Sequence, residues 1–190
     1  MRFGKSNLVV PAVILAACVG ARAQAPTFNL GRAPSAEEIR AWDIAIGPVG
    51  KELPPGSGTA KQGAEIYARK CVACHGQNLE GTRQGSRLAG GKGTLTSPNP
   101  VRTIGSFWPF ATTVWDFINR AMPRGQEESL TPDEVYSLTA FILCRNDLLQ
   151  ETDILDAKSL PKIQMPNRDG FIPPRFEDIL QGRCRVGTCP

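Results

Sequence analysis

Cys71, Cys74 and His75 are the residues whose types and spacing carry chemistry. They stand in Cys71-Val72-Ala73-Cys74-His75, two thiols three positions apart followed at once by the only histidine of the 190-residue chain. Thiols so spaced can add to the two vinyl groups of a porphyrin while the neighbouring imidazole ligates its iron, which is the attachment pattern of haem c. A zinc site would need two more nitrogen or sulfur ligands at matching spacing. No second histidine exists, and Cys18, Cys144, Cys184 and Cys189 are scattered. A dithiol redox motif follows a strand and opens a helix, whereas the residues before Cys71 read as a helix ending there. One haem c, covalently held through Cys71 and Cys74 with His75 on the iron, is the expected cofactor.

Three helices must position that group. Residues 59–70 form an amphipathic pattern with Ala60, Gly63, Ala64, Tyr67 and Ala68 on one side. Gly63 costs about 1 kcal/mol against Ala in a helix, so it marks a close crossing with another helix. Ala111 to Ala121 puts Val114, Phe117, Ile118 and Ala121 on one face, and Pro123 forces Met122 out of helical geometry. Thr131-Pro132-Asp133-Glu134 opens a third helix as a capping box with Pro at its first position. Its stripe of Val135, Leu138, Phe141 and Ile142 is the natural partner for Gly63 and Tyr67. Between His75 and Trp108 the chain is Gly- and Ser-rich with little periodicity.

The order helix, Cys-x-x-Cys-His, loop, helix, Met, helix resembles class I cytochromes c, and it implies an all-α fold of three to four helices around one covalent haem. In such a protein the loop after the histidine offers a backbone carbonyl to the second imidazole nitrogen. Arg87-Leu88-Ala89-Gly90-Gly91 occupies that place, with Ser86 standing where the family usually has Pro. With no second histidine, the other axial ligand is sought among thioethers. Met122 is the better placed; Met165 requires the tail to fold back under the haem, and a Cys144 thiolate is the third candidate, at the end of an apolar stripe where it reads as a small buried residue. Trp108 is expected near the macrocycle edge with its indole nitrogen towards a propionate, and Arg120 and Arg102 are further propionate candidates. Trp108, Phe110, Phe117, Leu138 and Phe141 are expected to bury the ring.

The flanks read differently. Met1 to Ala23 has basic Arg2 and Lys5, an apolar run from Leu8 to Ala17 and the small-residue site Ala21-Arg22-Ala23, which predicts export to the periplasm. Leu15-Ala16-Ala17-Cys18 also fits a lipid-attachment signal, so membrane association is expected only if Cys18 is lipidated. Loss of Arg2, Lys5 and Arg22 takes the formal charge from +4 to +1 and leaves no basic run, which argues against a nucleic-acid partner. Residues 24–58 read as a Pro-rich extension with a short helix opened by Pro34-Ser35-Ala36-Glu37-Glu38 and anchored by Trp42. The cytochrome domain is placed at 59–145, followed by a loop-rich extension over 146–190 that packs on it. Cys184 and Cys189 suit a disulfide in an oxidising compartment, or a free pair.

Leu30-Gly31-Arg32, Leu53-Pro54-Pro55-Gly56, Thr103-Ile104-Gly105-Ser106-Phe107-Trp108-Pro109, Asn119-Arg120-Ala121-Met122-Pro123 and Met165-Pro166-Asn167 go beyond general class I features. With Ala41-Trp42-Asp43-Ile44 and residues 129–140 they resemble the haem-bearing part of the SoxD family, the cytochrome subunits of bacterial sulfane dehydrogenases, in a single-haem form. The resemblance implies a one-electron carrier, with a molybdenum, sulfite-oxidase-like sulfur or sulfite dehydrogenase subunit as electron donor and another cytochrome as acceptor. It implies no catalytic residue of the chain's own. A haem enzyme with a labile sixth ligand, acting on a sulfur substrate or peroxide, is the alternative.

Overall fold

The computed structural model describes residues 30–172. The leader, Cys18, Cys184 and Cys189 lie outside the described residues. The chain divides into two units between Trp42 and Asp43. In the first, helix α1 (Ala36–Trp42) is opened by Ser35, whose hydroxyl accepts the Glu38 N–H at 3.2 Å while the Glu38 carboxylate accepts the Ser35 N–H at 2.7 Å. Trp42 in this helix is 87% exposed.

The second unit holds strand β1 (Ser57–Thr59), helix α2 (Ala60–Lys70), the short helix α3 (Val72–His75), α4 (Ala111–Ala121), α5 (Pro132–Cys144), strand β2 (Ile154–Asp156) and a 3-10 turn at Leu160–Lys162. Both long helices of the main crossing start on reciprocal caps. Thr59 and Gln62 exchange side-chain and backbone hydrogen bonds at the head of α2, and Thr131 and Glu134 do so at the head of α5, where Pro132 needs no partner for its absent N–H. Arg69 and Lys70 in the last turn of α2, and Asp133 and Glu134 in the first turn of α5, complement the helix dipoles.

Helices α2 and α5 cross at Gly63. A β-carbon there would lie 1.9 Å from the Ser137 carbonyl oxygen, so the approach depends on the missing side chain. Tyr67 packs on Phe141 with ring centroids 5.1 Å apart, and Lys70 meets Glu134 at 3.2 Å. The face of α2 turned inward is Ala60, Gly63, Ile66 and Tyr67, whereas Ala68, expected on it, is exposed. Helix α4 is buried on more than one side: beyond Val114 and Ile118, it sinks Trp115 against Tyr136 at 5.4 Å and also buries Thr112 and Asp116. Phe117, expected in that core, is 45% exposed.

Among the described residues an all-helical architecture holds except for one ribbon. β1 and β2 pair antiparallel with Gly58 opposite Leu155, and Asp133 at the head of α5 accepts the Ser57 N–H at 2.7 Å. After Cys144 the chain contributes to the core, where Leu155, Leu160 and Met165 are all buried. Asn146 locks the long loop to the end of α5. Its side-chain oxygen accepts from Gly90 at 3.1 Å, and its amide donates to Leu88 at 3.2 Å and to Ile142 at 2.8 Å.

Candidate functional site

Cys71, Cys74, His75, Trp108, Arg120 and Met122 all line one cavity of about 710 Å3. Each wall has a local cause. α2 ends at Lys70 and Cys71 stands between the two helices as the cap of both, so that the chain turns straight into α3, which carries Cys74 and His75. Three successive carbonyls of that turn are each given a donor: Cys74 by the Thr82 hydroxyl at 2.6 Å, His75 by the Gly81 N–H at 2.8 Å, and Gly76 by the Tyr67 hydroxyl at 2.7 Å. Burial pushes the Tyr67 phenol up to about 12, so at neutral pH it donates.

The imidazole is oriented from the loop. His75 Nδ1 lies 2.8 Å from the Ser86 carbonyl oxygen. A carbonyl can only accept, so Nδ1 carries the proton and Nε2 keeps a lone pair for a metal. Met122 enters the cavity from the end of α4, where its backbone is extended (φ −133°, ψ 146°) ahead of Pro123. Ile104, Val114, Ile118, Leu130, Leu138 and Ile142 supply buried apolar wall. Burial also pushes the Cys71 thiol up to about 11, which keeps it neutral.

Two thiols, an imidazole with one free nitrogen and a thioether, gathered in an apolar cavity, fit a covalently held haem. Met165 is 3% exposed within the core and does not reach the cavity, and Cys144 is half-buried at the end of α5 and does not line it either. Trp108 stands edge-on to Phe117 at 5.6 Å. Phe110 and Phe141, expected to cover the ring, lie elsewhere: Phe110 sits under the Arg168 guanidinium at 5.2 Å, and Phe141 against Tyr67. Arg120 lines the cavity, but Asp116 holds its guanidinium. Arg102 also lines it, stacked 5.4 Å over Phe107. Sequence reasoning placed Tyr67 in the helix packing and missed its polar end. A phenol four residues before Cys71 is the signal that was available.

The architecture and the contents of its cavity are those of a class I cytochrome c. The family model described as cytochrome c oxidase, cbb3-type, subunit III, matches residues 58–142. The crystal structure of the sulfane dehydrogenase SoxCD from Paracoccus pantotrophus contains a chain 38% identical to this one; the alignment covers 86% of this chain and 83% of that chain, with a TM-score of 0.72. No curated protein sequence matches significantly. The chain belongs to the c-type cytochromes and, within them, to the SoxD-like proteins.

Proposed function

We propose that this protein is an exported, periplasmic cytochrome with one covalent haem c, which carries single electrons from a sulfur-compound-oxidising dehydrogenase to another cytochrome. The donor is a molybdenum, sulfite-oxidase-like subunit; the similar chain is from a sulfane dehydrogenase complex, which supports a partner of this class. The observation that carries the reading is that His75, fixed at Nδ1 by Ser86, shares one largely apolar cavity with Met122 and both cysteines.

Haem bound there supplies a one-electron ferric/ferrous couple. Cys71 and Cys74 would tether it through thioethers, while His75 Nε2 and the Met122 sulfur would be the donors to its iron. A soft, neutral thioether favours the reduced iron, and apolar walls that exclude water act in the same direction. Nothing in this scheme calls for an acid, a base or a nucleophile from the chain. Among the described residues no helix is long and apolar enough to cross a membrane, so membrane attachment in this reading depends on lipidation at Cys18.

The spectrum of the purified ferric holoprotein tests His75 and Met122 as iron donors. An iron–thioether absorption band that disappears in Met122→Ala, with no ready carbon monoxide binding to the ferrous wild type, is the expected result. A wild type without that band that binds carbon monoxide freely would refute the carrier reading and favour a haem enzyme with an open sixth position.

A further inference from the structure

Asp116 is a buried carboxylate for which the ligand set has no use. It accepts from Arg120 Nε at 3.0 Å and from a terminal guanidinium nitrogen at 2.5 Å, and its Oδ1 also accepts the Ile46 N–H at 3.0 Å. A buried carboxylate this fully paired is held in one place. The two partners differ in position. Arg120, 46% exposed at its side chain, lines the cavity two residues before Met122, whereas Asp116, 8% exposed, lies behind the wall. They form a dipole anchored on the body of α4 and on the segment around Ile46, with its positive end at the cavity.

We infer that Asp116 is a positioning residue for the redox site: it fixes the Arg120 guanidinium at the cavity wall and offsets its charge, so that an oriented ion pair helps to set the reduction potential of the bound haem. The inference rests on the haem reading above. A cation at the wall disfavours the additional positive charge of ferric iron, and the carboxylate behind it works the other way. The two act with opposite signs, and what the cavity senses is their difference.

The test is the oxidised-to-reduced ratio of the holoprotein at equilibrium with a one-electron mediator dye, for wild type, Asp116→Asn, Arg120→Gln and the double variant. With the carboxylate gone, Asp116→Asn is expected to shift the ratio about threefold towards the reduced form, and Arg120→Gln by a similar factor towards the oxidised form. The double variant is expected to return close to wild type, with the iron–thioether band kept in all four. Loosening of the site alone would admit water and move both single variants towards the oxidised form; that outcome, or no shift in either, overturns the inference. If Arg120→Gln fails to fold around its unpaired carboxylate, Asp116→Asn is compared with the double variant, and it must lie on the reduced side of it. A wild type that lacks haem or the thioether band would instead refute the haem reading itself, whatever the variants do.

Discussion

Replacing Gly63 by alanine puts a methyl group into the crossing of α2 and α5. The new carbon would sit 1.9 Å from the Ser137 carbonyl oxygen, 2.6 Å from its carbonyl carbon and 2.7 Å from Phe141 Cβ. An ordinary carbon–oxygen contact is about 3.3 Å, so the helices would have to part by about 1.4 Å. Helix α5 cannot yield easily, because Asp133 holds Ser57 and the Tyr136 hydroxyl holds the Pro54 carbonyl at 2.9 Å. Alanine gains about 1 kcal/mol over glycine in helix propensity, and overpacking costs about 1–3 kcal/mol and occasionally more. The near contact is with backbone, which places this site at the upper end, for a net loss of about 2 kcal/mol. Chemical denaturation of the holoprotein followed by far-ultraviolet circular dichroism measures it. Ser137→Gly should not rescue the variant, since the clash is with the main chain. An unchanged or raised midpoint in Gly63→Ala, or rescue by Ser137→Gly, would refute the crossing geometry.

Other perturbations have equally defined outcomes. Asn146→Ala removes two hydrogen bonds to the loop and one to α5 and should cost about 2–3 kcal/mol, with faster amide exchange at Gly90 as the local readout. Tyr67→Phe leaves the Gly76 carbonyl without its donor, and unfolding should show a loss of about 1–2 kcal/mol. The Thr131 N–H, with Lys70 beside it, holds the Glu134 carboxyl below its ordinary range. A lowered folded-state pKa gives stability that is complete above the unfolded value of about 4.3 and is lost as pH falls through the folded one. Glu134→Gln should therefore flatten the acid limb of stability against pH below about 4.5, measured by urea unfolding across that range.

Much of this was legible in the residues because the strongest local signals point one way. Pro109 and Pro123 bracket the helix at 111–121, and the Thr131 capping box fixes the start of the next. The carbonyl at Ser86 was placed correctly despite the absent proline, since any residue can supply that oxygen. What stayed hidden was set by partners remote in sequence. Ser57-Gly58-Thr59 and Ile154-Leu155-Asp156 are too short for a period-two pattern, and their pairing spans about a hundred residues. Trp115 was overlooked because the stripe through Val114, Phe117 and Ile118 already accounted for one apolar face, while α4 buries a second against Tyr136. The pairing of Asp116 with Arg120 follows ordinary i, i+4 spacing and could have been read directly. A propionate role drew attention to the arginine and away from its neighbour.

The β1–β2 ribbon also changes what the chain is as a curve in space. By bringing residue 57 alongside residue 156 it turns everything between them into a closed ring, with both walls of the haem cavity on that ring and the entering and leaving segments side by side. A ring can be cut elsewhere without being unmade. The exposed, irregular stretch 96–100 is such a place: new termini opened there, with the old ones joined across residues 43 and 172, would keep the cysteine pair and Met122 on opposite arms of one continuous chain. They would then enter the molecule in the reverse order, Met122 before Cys71.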